Sequence, residues 1–488
     1  MKATLSLAAL GAFLLALPAP AQISPGTAPA WRYTLLGPTT LLVDCPICGR
    51  PSIPEPLRGT LDLRLLASNA QSQVWAVENV AFYVGDPHQP SRRLTGSGLW
   101  RWQAPDKQEM LLELQLTVPG VVTNLPLDFT NAFSHLPLPR PLLNLTLTDT
   151  RGSAVEVYHL NLLAAPAREI WFSTRHNFTS GLNIHGTRGD LLAHTGRVVR
   201  RLGDLLSRLG LMPGFWAYNL DALDLGPRGD IQFSLDEDVF SETRGPLSHG
   251  DLLSHEGLVL KTYTQWLAPF APMPPIPNAG LDAVGRLPDG TRVFSVRESF
   301  FSQSLGKVIR PGDLLREDGQ IYRTAEQLLA LFKTREPAEV GLDAVYLWPH
   351  GEIWFSTERG FQDDTLGPIL EGDLLSSLGY VVFRNLDLLA PFQPLEDLAD
   401  FGLDALHVVT DAKSPPAQPP RLLNLQFNRA TGALNVAWDG DGQVFQLESA
   451  PTPLGPWQPV RPPEPGAATI LNLPPEAPPM LFFRVRQW

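Results

Sequence analysis

The sequence predicts an all-β chain, and three observations carry the prediction. Its 488 residues include 48 prolines, about twice the usual ~5%, and proline fixes φ and removes a backbone donor, which favours turns over long helices. Short runs rich in β-branched and aromatic residues recur between clusters of Gly, Pro, Asn and Asp. Several of these runs return at a constant step of 61 residues, the mark of one supersecondary unit copied along the chain. An N-terminal β-sandwich, a four-repeat middle and a small C-terminal β-sandwich follow as the expected parts.

The first residues carry an address. In "MKATLSLAALGAFLLALPAPAQ", Lys2 precedes an apolar run between residues 5 and 17 and the small-residue pattern Ala19-Pro20-Ala21, which predicts a secretory signal peptide over residues 1–21. The run is shorter than the ~20 residues of a membrane-spanning helix. The expectation is a secreted protein, extracellular, periplasmic or cell-surface, with no membrane insertion. Formal charge is -12 and becomes -13 once Lys2 leaves with the leader. No basic cluster exists to track phosphates, which argues against a nucleic-acid partner.

Residues 22–160 are expected to form the N-terminal β-sandwich-like domain. "TLDLRLLA", "VWAVENVAFYV", "MLLELQLTV", "LLNLTLTD" and "AVEVYHLNLLAA" are short alternating runs separated by turn residues. Within it, "DCPICGRP" (44–51) holds Cys45 and Cys48, the only cysteines. Half a zinc knuckle or a redox pair are open readings, but a structural metal site wants four ligands and a redox motif a βαβ setting. In an oxidising compartment a Cys45–Cys48 disulfide is the favoured reading.

Residues 161–410 contain the repeats. Phe-Ser recurs at Phe172-Ser173, Phe233-Ser234, Phe294-Ser295 and Phe355-Ser356; Leu-Asp-Ala begins at Leu220, Leu281, Leu342 and Leu403; "GDLL" begins at Gly189, Gly250, Gly312 and Gly372. Each copy predicts one hairpin from Leu-Asp-Ala to Phe-Ser, turned by sequences such as "LPDG", and a second around the glycine seven residues after the start of "GDLL". A short helical segment follows, with Asn385 and Thr324 as expected N-caps.

Four strands plus a short helix per copy, repeated at fixed period, resemble a β-propeller of the kind found in secreted bacterial proteins, each copy forming one blade. The resemblance implies a shape and carries over no catalytic residue. Residues 411–420 form a proline-rich linker, and the strand-rich residues 421–488 resemble a fibronectin type III-like module. In a closed ring, the strand "LDALHVV" (403–409) would pair beside "EIWFST" (169–174), unless His159-Leu160-Asn161 fills that place. The loops between Phe-Ser and "GDLL" would then share one rim.

Two sets of aspartates repeat. Asp221, Asp282, Asp343 and Asp404 form one, Asp190, Asp251, Asp313 and Asp373 the other. The first set, circling an axis, could hold a hard cation such as Ca2+; the commoner role for residues kept by a repeat is to accept backbone hydrogen bonds. Nucleophile elbows, metalloprotease helices, phosphate loops and dinucleotide fingerprints do not occur. The sequence therefore leans toward a secreted, non-catalytic binding or surface-assembly protein, with a carbohydrate or surface protein as ligand. The alternative is an extracellular polysaccharide hydrolase or lyase.

Overall fold

The structure, a computed structural model, describes residues 30–488 except 37–38, 50, 69–70, 86–88, 105–106, 132–133, 136–141, 154, 183, 212–217, 276–277, 335–339, 350, 365, 411, 413–417, 429–432, 451, 454–456, 467 and 473–480. The leader expected at 1–21 and most of the expected linker lie outside the described residues. The chain is all-β, as predicted, with helices of only a few residues.

Long alternating strands build the N-terminal part. Pro54–Ser68, Ser72–Gly85, Pro90–Gln103 and Lys107–Val118 pair antiparallel in order, and their inward residues, among them Leu61, Phe82, Trp100, Leu112 and Leu114, enclose one core. The hydrogen bonding does not divide into two separate sheets. Ala30–Leu35 pairs with both Pro54–Ser68 and Val157–Pro166, so the sheet returns on itself. Val157–Pro166 stays in this sheet throughout, so the N-terminal part runs past the boundary expected at 160. His159, Leu160 and Asn161 pair there with Thr146–Thr148 and Thr40–Leu42, not with the repeats.

Each repeat forms a four-stranded antiparallel sheet. In the second the order is Leu220–Leu225, Ile231–Leu235, Leu252–Ser254, Leu258–Lys261; the third and fourth, starting from Ala283–Arg286 and Ala344–Leu347, copy it. The first sheet takes its innermost strand from the far end of the region. Ala405–Val409 pairs with Glu169–Ser173 in the register Trp171 to His407. The four innermost strands touch in cyclic order, so the array is a closed ring. Buried Phe172, Phe233, Phe294 and Phe355 pack between the sheets.

The repeated words now have structural meanings. In both copies of Glu-Ile-Trp-Phe-Ser, the glutamate accepts from the indole two residues on, at 2.7 Å for Glu169 and Trp171 and 2.8 Å for Glu352 and Trp354. Ser234 and Ser356 donate at 2.7 Å to the carbonyls of Leu281 and Leu403 on the neighbouring sheet, stitching sheet to sheet. An unforeseen small hairpin stands in each loop between Phe-Ser and "GDLL", such as Val239–Ser241 with Gly245–Leu247.

The "GDLL" aspartates take the structural role. Asp190, Asp251, Asp313 and Asp373 each accept from the first backbone N–H of the helix twelve residues later, in α1 (Leu202–Leu206), α2 (Tyr263–Leu267), α3 (Ala325–Leu328) and α4 (Asn385–Leu389), at 2.8 to 3.1 Å. Each also accepts from the N–H three residues before it, at 3.0 to 3.1 Å. These bonds satisfy donors that a helix start leaves orphaned. Thr324 caps α3 as expected. Asn385 does not cap α4; it is the first helical residue, after Arg384, and the distant Asp373 does the work.

The C-terminal part consists of two three-stranded sheets around Leu434, Val436, Trp438, Phe445 and Leu447. It lies on one end of the ring. Arg228 N donates to Gly442 O at 2.9 Å, Arg200 to Pro465 O at 2.9 Å, and Gln443 to Leu225 O.

Candidate functional site

The ring axis has two unlike ends. Beside the C-terminal part is a cavity of about 420 Å³, lined by Val284, Arg286, Leu406 and His407 and flanked by Asp441 and Gln443. In its wall Arg286 already holds Asp224, at 2.7 Å.

The opposite end is built from Leu-Asp-Ala. Asp221, Asp282, Asp343 and Asp404 sit where the chain enters each innermost strand, and none is more than 6% exposed. One carboxylate oxygen of each has no hydrogen-bond partner. Asn219, 3% exposed, donates its amide N–H to Asp404, leaving its own Oδ1 without a partner. Ser173 Oγ, Ser295 Oγ and Thr357 Oγ1 are in the same condition. Buried polar groups are nearly always satisfied, so such a concentration calls for a functional account.

Around this mouth the residue two places after each Phe-Ser forms a collar: Arg175, Asp236, Arg297 and Glu358, opposite charges alternating from sheet to sheet. Arg175 stands 4.0 Å from Asp404 and 3.1 Å from Glu371; Arg297 donates to the carbonyl of Asp236 at 3.1 Å. Glycine makes the close approach possible. A Cβ on Gly280, Gly341 or Gly402, all at positive φ near 73°, would fall 2.5 to 2.7 Å from the Cβ of Arg297, Glu358 or Arg175. Step-61 alignment could have found the collar, but its members differ in charge from copy to copy.

Burial dominates the electrostatics. Desolvation, reinforced by the neighbouring carboxylates, pushes Asp221, Asp282 and Asp343 well above the usual carboxylate range. Asp404 is pushed up to about 7, again by burial, with Arg175 and the Asn219 amide pulling the other way.

The Ca2+ ring expected at Asp221, Asp282, Asp343 and Asp404 has no converging ligand set in the structure. Among the described residues, no three His, Cys, Asp or Glu side chains are placed to hold one metal ion, these four aspartates included. They influence one another electrostatically without converging on one coordination sphere. Far from the axis, Cys45 and Cys48 lie at disulfide distance, Cα to Cα 5.3 Å, across a turn in which Cys48 N donates to Cys45 O at 3.1 Å.

No family model matches the chain, and no curated protein matches it. Among solved structures, an extracellular domain of a hybrid two-component system from B. thetaiotaomicron aligns over 86% of each chain at 8% identity with a TM-score of 0.19. That score carries no argument about fold or function. No described helix is long and apolar enough to cross a membrane.

Proposed function

We propose that this is an exported, non-catalytic binding protein whose body is a four-bladed β-propeller, carrying its ligand surface on the rim around the carboxylate mouth. The fibronectin type III-like C-terminal module rides on the other end as a spacer. The observation that carries this reading is the coincidence, at one end of the axis, of unsatisfied buried acceptors with four loops of common backbone plan and different chemistry. Phe240 and Phe301 are exposed on this rim, 58% and 42%, at the positions where the other copies have Thr179 and Gln362. Loops held by a rigid scaffold are where binding residues concentrate.

Hydrolysis or elimination of a polysaccharide is the second reading, favoured by one observation: Asp404 holds its proton up to about pH 7, as a general acid must. Against it, all four carboxyls lie too deep for a glycosidic oxygen to reach. Passing the purified mature protein over immobilised polysaccharides and cell-surface proteins tests both. Retention without released sugar is expected. Released sugar would favour the enzyme, and neither retention nor release would refute the binding reading.

A further inference from the structure

We infer that the axial cavity beside the C-terminal part binds one neutral sugar ring, free or at the end of a glycan chain. This site lies at the other end of the axis from the rim and does not depend on the reading given there.

All four sheets build the cavity, and they depart from the repeat where they build it. One residue from each innermost strand lines it at the common step of 61: Asp224, Gly285, Tyr346 and His407. Their immediate predecessors, Leu223, Val284, Val345 and Leu406, are all aliphatic and buried. An axis that had only to be filled would be served by one residue type at both places. A carboxylate, a gap, a phenol and an imidazole at equivalent places instead make each side of the lining different, as orienting an asymmetric ligand requires.

The cavity opens outward. Pro227, Pro288 and Pro349, just after three of the innermost strands, are exposed at its edge, as is Asp441 from the C-terminal part. Its volume of about 420 Å³ is near the lower end of the ~300–1,000 Å³ of small-molecule sites. That suits one ring, not a length of polymer.

Charge selects an uncharged ligand. Arg286 holds Asp224 at 2.7 Å, and Arg292 approaches the same carboxylate at 3.7 Å. With Asp441 added, two acids are matched by two guanidinium groups, so no charge is left over to call for an ion.

Hydrogen bonding selects hydroxyl groups. Among the described residues, Arg286 commits one of its five N–H donors, to Asp224. Asp224 accepts, and a neutral imidazole such as His407 has one donor and one acceptor. A hydroxyl donates and accepts, so it answers both kinds, whereas a purely apolar ring would leave the Arg286 donors without a partner. The aliphatic floor and the rings of Tyr346 and His407, 5.9 Å apart and edge to face, suit the C–H faces of the same sugar.

Calorimetric titration of the full mature protein with the methyl glycosides of glucose, galactose, mannose and N-acetylglucosamine tests the inference, with amide exchange locating the site. At least one should bind at millimolar concentration or below and slow exchange at residues 223–225, 284–287 and 406–407. Exchange in the rim hairpin of Val239–Ser241 and Gly245–Leu247 should not change. Glucuronate, glucosamine and p-cresol should all bind more weakly than that glycoside. Arg286→Met leaves Asp224 beside Arg292 and the N–H of Leu225, and should weaken the glycoside roughly tenfold or more. Equal binding of an oligosaccharide ending in the same sugar would assign the ligand to a glycan end, and binding of the glycoside alone to a free sugar. Silence from all four glycosides, tighter binding of a charged or aromatic probe, or full affinity in Arg286→Met would overturn the inference. Should that variant not fold, the exchange pattern of the natural protein decides. Protection at the rim alone would remove this site and leave the rim reading standing.

Discussion

Trp171 lies opposite His407 in the register that joins the first sheet of the ring to the last strand of the chain, their rings 5.6 Å apart. The contact spans most of the repeat region, and among the described residues Glu169–Ser173 has no other strand partner on that side. Removing residues 403–488 would leave a bare strand edge and uncover a tryptophan that is now fully buried. Amide exchange around Trp171 should then quicken more than exchange around Trp354, whose sheet is closed within its own repeat. Equal change at both sites would mean that Ala405–Val409 does not close the ring.

The two aspartate sets should respond to mutation with opposite signs. Asp251→Ala deletes the acceptor for Tyr263 N and Ser248 N, both about 2.9–3.0 Å away. A loss of about 2–4 kcal/mol in denaturant unfolding is expected for two bonds to a charged group. Asp221→Asn instead relieves burial of charge and repulsion from Asp404, and should leave stability unchanged or raised. A loss of similar size in both variants would make the axial set structural as well.

Stability should fall as pH rises from about 4 toward 7. Asp404 keeps its proton to about 7 when folded and to about 4 when unfolded, so over that window the folded state binds more protons and loses stability with rising pH. Asp221, Asp282 and Asp343, raised well above the usual range, act in the same sense and extend the window upward. His194 opposes them. Burial lowers it to about 4, and its Nδ1 accepts from Ile170 N, so between about 4 and 6.5 it adds stability as pH rises. Thermal unfolding between pH 4.5 and 7.5 should show a net decline that is shallower in Asp404→Asn. A rise in the natural protein would contradict the assignment.

Mass spectrometry of unreduced protein should find Cys45 and Cys48 joined, lighter by about two hydrogens than the dithiol. Reduction should change the melting temperature little, because the enclosed loop is far shorter than the ~15 residues for which about 3 kcal/mol is estimated. Two free thiols or bound zinc would be the contrary result.

Repetition made the ring legible in the sequence, because register in a sheet tolerates no slippage and equal spacing therefore survives between copies. It could not separate the two aspartate sets. Asp251 and Asp282 both recur in every copy, and the difference lies in which donors the folded backbone brings to each: Tyr263 N and Ser248 N to the first, none that satisfies Oδ2 to the second. The collar of Arg175, Asp236, Arg297 and Glu358 stayed hidden for the converse reason, since a search for sameness passes over positions where copies differ. The closure of the N-terminal sheet was illegible because nothing in an alternating strand such as Ala30–Leu35 names the two strands it will pair with.

The alternating collar gives the mouth a two-fold rather than four-fold electrical symmetry. Arginines occupy the first and third places and acids the second and fourth, so the collar alone carries no net charge, only a quadrupole. A quadrupolar field dies away much faster with distance than the field of a single charge, and salt shortens it further. The collar therefore cannot pull a partner from afar. It acts at contact, where a half-turn about the axis restores the same pattern of charge and a quarter-turn reverses it.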